Sequence, residues 1–212
     1  WASTFSQKAK EFLPMTPYHL EEERMAVIVQ RIVGTRYDER HYPSFAGVAR
    51  SHNYYPVAPQ KAEVADMLAA YADTDLLCYR ADGPEGLVQR QREHWDPPLD
   101  WAAETLGARL VPVAGVMHAP QDSAALDRLS ARVHEMSSFQ LTGLHDLVAL
   151  SGSLILGLAA AMGWRDAETL WQLSRLDETW QEEQWGPDEE ASALAESRRQ
   201  AFLHAKRLFD LA

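Results

Sequence analysis

The sequence predicts a mainly α-helical fold for residues 58–212, and two observations support this prediction. Apolar residues recur at intervals of three and four, and prolines and glycines stand where helices begin and end. With 212 residues, 46% of them hydrophobic and 24% charged, the chain is long enough to bury a core and has a globular composition. The first helix is expected to begin at Pro59, with an inward stripe formed by Val64, Met67, Leu68 and Tyr71.

The same signals place the later elements. A helix from Pro84 to about His94 is expected to end at Asp96-Pro97-Pro98, and the two prolines start the next helix, which Asp96 caps and Gly107 ends. Its predicted stripe is Leu99, Ala102 and Leu106. Pro112 confines the extended segment 109–116 to a sheet edge or a connector. Further helices are predicted over about 122–136, 139–162, 167–184 and 187–211, the last with Pro187 in its first position.

The uncharged segment 147–164 has 18 residues, which reaches the lower length limit for a membrane span. Three glycines and two serines dilute its hydrophobicity, and the amphipathic helices around it need an apolar element on which to pack. We therefore interpret it as a buried central helix. A membrane-associated scaffold that inserts this segment is the alternative.

The first 57 residues give a weaker signal. The β-branched run at 26–33 suits either a helix or a buried strand, and 37–56 is rich in the Tyr, His, Ser and Gly of irregular segments. Tyr54-Tyr55-Pro56 marks the predicted boundary between two domains, 1–57 and 58–212.

The charge becomes strongly acidic after residue 57. Residues 1–57 carry seven Lys/Arg and six Asp/Glu, whereas 58–212 carry 13 and 25, which gives the net charge of −11. Nucleic acid is not an expected partner, because phosphate binding requires clustered Lys or Arg. A basic or neutral protein fits better.

The single cysteine, Cys78, lies in an apolar run and is interpreted as a packed thiol in a reducing compartment. The start of the sequence shows neither a secretory nor a transit pattern. This favours a bacterial cytoplasm, or the mitochondrial matrix for a eukaryotic source.

The most distinctive stretch is 173–190, LSRLDETWQEEQWGPDEE, which is expected to form one helix and the turn that ends it. Between residues 171 and 200 there are eight acidic and three basic residues, with Trp171, Trp180 and Trp185 among them. Carboxylates at this density repel one another unless a cation relieves them, and tryptophan is enriched where a surface anchors a partner. Two interpretations remain open: a docking surface, or a solvated helix face whose tryptophans lie in the core.

No pattern for catalysis or metal binding is found. The eight histidines lack ligand spacing, and the GxSxG, GxGxxG and GxxxxGK[ST] patterns are not present. His145 and Asp146 are adjacent, but neighbours on a helix point about 100° apart, so no relay is expected. We predict no enzymatic activity, no metal and no cofactor. The alternative is a small all-helical enzyme with a polar pocket near His145, Asp146 and Glu182.

Three segments carry a family resemblance: DLLCYRADGPEGLVQRQREHWDPPLDWA, LTGLHDLVALSGSLILGLA and LSRLDETWQEEQWGPDEE. Together they resemble the F₁ ATP synthase assembly chaperones called Atp-twelve. The resemblance covers 58–212, since 1–57 lack the sequence motifs usual near the N-terminus of this family. It implies an α+β fold with a mainly α-helical C-terminal orthogonal bundle and a smaller β-rich N-terminal domain. It also implies a non-enzymatic chaperone that binds the unassembled α subunit and shields its interface until a β subunit replaces it.

The resemblance also implies where a partner binds. It places chaperone function at Asp177 and Glu178, the acidic pair of the sequence LDETW, and at the sequence WQxxQWG that follows. On one helix, residues 177, 181, 184 and 188 repeat at i, i+4, i+7 and i+11, so we expect them to share an exposed face. The predicted partner-binding residues are Asp177, Glu178, Gln181, Gln184, Trp185 and Asp188. The free protein is expected to be a monomer that does not insert into a membrane.

Overall fold

The computed structural model describes residues 60–212, which contain eight α-helices and one two-stranded parallel sheet. The helices are α1 (Lys61–Ala70), α2 (Glu85–Thr105), α3 (Ser123–His134), α4 (Ser138–Ser151), α5 (Leu154–Ala161), α6 (Ala167–Ser174), α7 (Leu176–Trp185) and α8 (Glu189–Leu211), and the strands are β1 (Tyr79–Arg80) and β2 (Val113–Ala114). The mainly helical prediction is confirmed for this part of the chain. The predictions for 1–57, including the β-rich domain and the boundary at residue 57, lie outside the described residues.

Helix α5 lies at the centre of the hydrophobic core. Residues 154–160 are all buried, and the helix packs against α2, α4, α6 and α8. The predicted burial of the uncharged segment is therefore confirmed for α5. None of the helices within residues 60–212 is long and apolar enough to cross a membrane.

The prediction of one continuous helix over 139–162 is wrong, because the chain breaks between α4 and α5. Gly152 ends α4 in the left-handed region with φ of 71°, a conformation in which glycine has no Cβ penalty. Ser153 is extended, and its hydroxyl accepts a hydrogen bond from the Leu156 N–H at 3.0 Å. The break lets α5 fold back onto α4, so that two short apolar helices pack together.

The prediction of two helices separated by Asp96-Pro97-Pro98 is also wrong. Helix α2 runs through both prolines from Glu85 to Thr105. Each proline removes a backbone donor, but buried residues on both sides hold the helix on the core, among them Trp95 and Leu99. The Trp95 indole N–H donates to the Leu173 carbonyl at 2.8 Å, which ties α2 to α6. Asp96 caps no helix and instead accepts a hydrogen bond from Arg80 at 2.8 Å.

Three smaller predictions have mixed outcomes. In α1, Leu68 is fully buried, but Met67 is 46% exposed, so the stripe is wrong at that position. The extended segment 109–116 is confirmed at Val113 and Ala114, which pair with β1. The glycine predicted to end the helix before it, Gly107, has a positive φ of 66°, as a helix stop requires.

A buried carboxylate, that of Asp75, joins the segment before β1 to the start of α5. Its two oxygens accept hydrogen bonds from the backbone N–H groups of Leu77 at 3.1 Å and Ile155 at 3.0 Å. The next residue, Leu76, donates its backbone N–H to the Gly152 carbonyl at 3.1 Å. These bonds satisfy polar groups at the break between α4 and α5, which would otherwise be unpaired inside the core.

Cys78 lies three residues further along and is buried, which confirms the predicted packed thiol. Burial, reinforced by the charge of Asp75, raises the pKa of this thiol to about 12. The thiol therefore stays protonated and unreactive at neutral pH.

Asp75 should make the stability of the fold depend on pH. Burial raises the pKa of its carboxyl from 3.8 to about 6, although the hydrogen bonds that it accepts oppose the rise. Between these pH values the native state keeps a proton that the unfolded chain has lost, so stability falls as the pH rises through this window. The expected loss is roughly 2–3 kcal/mol.

The measurement is urea unfolding between pH 4 and 7 of the wild type, Asp75→Asn and the control Asp82→Asn, which alters an exposed residue of the same acid type. Only Asp75→Asn should reduce the change in unfolding free energy between pH 4 and pH 7. A difference in unfolding free energy between wild type and Asp75→Asn that stays constant over this range would contradict the assignment.

Gly157 should be essential to the packing of α5 on α4. A β-carbon at this position would lie 2.6 Å from Cγ2 of Val148 and 3.5 Å from Cδ1 of Leu144. The β-branched valine has little rotamer freedom on a helix. Gly157→Ala is therefore expected to lower the free energy of unfolding by about 1–3 kcal/mol, despite the better helix propensity of alanine. Val148→Ala should rescue part of that loss in the double variant, and strictly additive effects of the two changes would argue against the contact.

Candidate docking surface

The acidic stretch 173–190 folds into the end of α6, the whole of α7, the turn before α8 and the first two residues of α8. The prediction of a single helix over 167–184 is therefore wrong. Arg175 interrupts the helix with φ of −105° and ψ of 14°, and the Ser174 hydroxyl donates to the Trp171 carbonyl at 2.7 Å. The helical period therefore restarts at residue 176. Trp171 belongs to the core, where it is 4% exposed and its ring centroid lies 5.7 Å from that of Phe202.

One face of α7 packs against α2 through a tryptophan, an arginine and a glycine. A β-carbon at Gly86 would lie 2.8 Å from the ring of Trp180, so only glycine leaves room for this indole. The guanidinium carbon of Arg90 lies 4.8 Å from the ring centroid of Trp180. Arg90 also binds both oxygens of Glu183, at 2.9 and 2.8 Å. This hydrogen-bonded pair lowers the pKa of Glu183 and raises that of Arg90.

Both acidic residues of the word LDETW have partners within the chain. The Asp177 carboxylate accepts a hydrogen bond from the buried amide of Gln91 at 2.7 Å, and it is partly buried rather than exposed as expected. Glu178 pairs with Arg175 at 2.6 Å, and its side chain remains 45% exposed. A partner can therefore reach these carboxylates only by sharing or replacing the contacts that they already make.

The remaining predicted residues are exposed. Gln181 and Gln184 face solvent on α7, and Trp185, its last residue, is 79% exposed. Gly186 then takes a positive φ of 89°, so Asp188 lies beyond the helix and the i+11 spacing does not apply to it.

Asp188 caps the last helix, which begins two residues later than predicted. Its side chain accepts a hydrogen bond from the Ala191 N–H at 2.7 Å, whereas Pro187 stands outside the helix. Glu189 and Glu190 occupy the first turn of α8, where the helix dipole favours negative charge. Neither carboxylate forms an ion pair with a basic side chain within residues 60–212. We call Trp185, Asp188, Glu189 and Glu190 the Trp185 surface.

An open groove of about 500 Å³ lies between α2, α6 and α7. It is lined by Arg90, His94, Thr169, Gln172, Leu173, Leu176 and Thr179. It was not predicted, because its residues come from three separate helices and meet only when those helices pack together, although five of them lie in the segments that carry the family resemblance.

The residues considered for an enzymatic alternative lie elsewhere. Nδ1 of His145 lies 3.0 Å from an oxygen of Asp146, so the two adjacent side chains do meet, contrary to expectation. Both belong to α4, whereas Glu182 belongs to α7, and none of the three lines the groove. Within residues 60–212 no group of three or more His, Cys, Asp or Glu is arranged to hold a metal ion.

Comparison with known proteins places this chain in a family. The ATP12 chaperone protein family matches residues 19–103, so the likeness also includes 19–57, which lie before the segment 58–212 that carries the sequence resemblance. Atp12 from Paracoccus denitrificans has a crystal structure that is 47% identical, with a TM-score of 0.74, covering 88% of this chain and 80% of that one. A putative chaperone from Agrobacterium tumefaciens is 37% identical, with a TM-score of 0.71, covering 80% of this chain and 63% of that one.

A more distant relative is the mitochondrial protein atp12 of Schizosaccharomyces pombe, which is 24% identical over 171 residues. The match covers 77% of this chain, and the chain spans 59% of the length of that relative. The bacterial likenesses are much stronger and extend over most of both chains. This chain therefore belongs to the ATP12 chaperone family.

Proposed function

We propose that this chain is a chaperone for assembly of the F₁ head of ATP synthase, which binds the unassembled α subunit and shields its interface until a β subunit replaces it. The observation that carries the proposal is the Trp185 surface, where an indole that is 79% exposed stands beside three exposed carboxylates. Membership in a chaperone family supports a role in binding a polypeptide rather than in converting a substrate.

The chemistry of the Trp185 surface suits a basic and partly apolar partner. A large aromatic side chain left in water gains free energy when a partner covers it, and tryptophan is among the residues most enriched at interface hot spots. Carboxylates beside it can pair with arginines of the partner, and the covering chain would exclude water from those pairs. An unassembled subunit exposes the interface that it later buries, and this surface would occupy part of it.

The proposed partner-binding residues divide into two groups. Trp185, Gln181, Gln184 and Asp188 are exposed and available for direct contact. Asp177 and Glu178 would contribute by exchanging their contacts with Gln91 and Arg175 for contacts with the α subunit. We propose a monomer when free, in a bacterial cytoplasm or a mitochondrial matrix.

Trp185→Ala should weaken the complex with the F₁ α subunit by at least about tenfold, because an exposed indole at the centre of an interface acts as an anchor. The measurement is titration of purified α subunit with each variant. The matched control is Met117→Ala, which shortens another large apolar side chain that is 77% exposed, and it should bind like the wild type. Equal affinities for all three proteins would show that Trp185 is not the anchor.

Glu178→Lys should also weaken this complex by about tenfold, since a lysine would repel a basic partner. Its matched control is Glu135→Lys, because Glu135 likewise forms an i,i+3 ion pair with an arginine, Arg132, at 3.2 Å. Both substitutions break an i,i+3 ion pair, but the Arg175 side chain is 21% exposed and that of Arg132 is 46% exposed. Thermal unfolding of both variants therefore separates a loss of stability from a loss of binding. Asp177→Lys is expected to act like Glu178→Lys. If both bind at full strength, these two residues do not belong to the docking surface.

A further inference from the structure

The first half of helix α8 has no buried side chain. Every residue from 189 to 198 is exposed or half-buried, whereas Phe202, Ala205 and Leu208 in the second half are buried. Arg199 marks the change, because its guanidinium binds Glu168 of α6 at 2.7 Å. On the N-terminal side of this ion pair, no face of the helix is covered by the rest of the described chain.

One face of this uncovered half carries an apolar residue between two opposite charges. Residues 191, 194, 198 and 201 recur at intervals of three and four, and 190 lies four residues before 194, so all five share one side of the helix. All are exposed, and Leu194 at their centre is 53% exposed. We call Glu190, Ala191, Leu194, Arg198 and Ala201 the Leu194 stripe.

The two charges of the Leu194 stripe have no partner within the described chain. Neither Glu190 nor Arg198 forms an ion pair or a side-chain hydrogen bond with another residue in 60–212. The carboxylate of Glu196, which lies between them, is already bound by Arg199 at 2.8 Å and by Gln200 at 2.7 Å. Eight residues of helix separate Glu190 from Arg198 by about 12 Å, so each charge remains open to another molecule.

We infer that the Leu194 stripe binds a helix of the α subunit that carries an aliphatic side chain between a basic and an acidic residue. The aliphatic side chain would cover Leu194, the basic residue would pair with Glu190, and the acidic residue would pair with Arg198. A straight stripe on one helix fits a second helix, and the small side chains of Ala191 and Ala201 allow close approach. The inference rests on the proposed function and deepens it, because Glu190 also belongs to the Trp185 surface.

A second copy of this chain is the other candidate occupant, since an antiparallel copy would also place opposite charges against Glu190 and Arg198. Two chains of net charge −11 repel one another, however. A stable dimer also buries about 1,200 Å² or more, which a stripe centred on one leucine does not supply. The α subunit would cover the Trp185 surface as well, so the stripe need supply only part of that interface.

The first experiment is titration of the purified α subunit with Arg198→Glu and with the control Arg92→Glu. Both arginines are exposed on helices, neither forms an ion pair within residues 60–212, and both substitutions change the net charge equally. We expect Arg198→Glu to bind about tenfold more weakly, because the new carboxylate repels the acidic residue of the partner, and Arg92→Glu to stay within about twofold of the wild type. A stripe that attracts only basic groups would instead bind more tightly after Arg198→Glu.

A second pair of variants tests the apolar contact without a change in charge. Leu194→Gln removes the centre of the stripe, and its control Met67→Gln alters a side chain that is 46% exposed on helix α1. Leu194→Gln should weaken binding by about tenfold, and Met67→Gln should bind like the wild type. Circular dichroism of both variants checks that their helices are retained.

The outcomes separate this inference from the proposed function. If the wild type forms no complex with the α subunit, both are overturned. If the wild type binds and either Arg198→Glu or Leu194→Gln binds as tightly, only the inference about the stripe is lost. A control that weakens binding as much as its variant also shows that the stripe is not the site. If the free wild type sediments as a dimer that Leu194→Gln dissociates, the occupant is a second copy and the inference is wrong.

Discussion

Burial of the short apolar helix α5 is the constraint on which the described fold depends. Its residues 154–160 are enclosed by four other helices, and its first backbone donors are satisfied by Ser153 and by the buried carboxylate of Asp75. An apolar helix inside the core needs such partners, because an unpaired backbone group there costs about 1–3 kcal/mol. The Asp75 carboxylate fixes the backbone at the break between α4 and α5. Its burial raises its pKa to about 6, so the free energy of unfolding is lower at neutral pH than at acidic pH.

The contact between α2 and α7 connects the core to the surface helix α7. Trp95 binds the backbone of α6 from inside, and the Gln91 amide positions Asp177 at the start of α7. Further out, Trp180 lies against Gly86 and beneath Arg90. Helix α7 is thereby held as a rigid support that ends at Trp185. The exposed indole and the acidic start of α8 follow directly after this support, which would lower the entropy lost at the docking surface that we propose.

The carboxylates of the acidic stretch fall into two classes that the sequence alone does not distinguish. Glu183 and Glu178 are paired with arginines of the chain itself, whereas Glu189 and Glu190 have no such partner within the described residues. The first class contributes to the way α7 sits on its neighbours, and the second is open to another molecule. This division gives a physical reason why the far end of α7, rather than its start, offers the freest contact.

The sequence by itself determined the helical class, the apolar segment that becomes the core and the family, because periodicity and long matched words are local properties of the chain. It did not determine where helices break or continue. Gly152 and Arg175 interrupt predicted helices and Pro97 does not, since packing against other elements outweighs local preference. Nor could it sort the tryptophans: Trp171 lies in the core, Trp180 packs under Arg90 and Trp185 faces solvent. Exposure depends on what the rest of the chain places over a residue, and the groove of three helices exists only once they pack together.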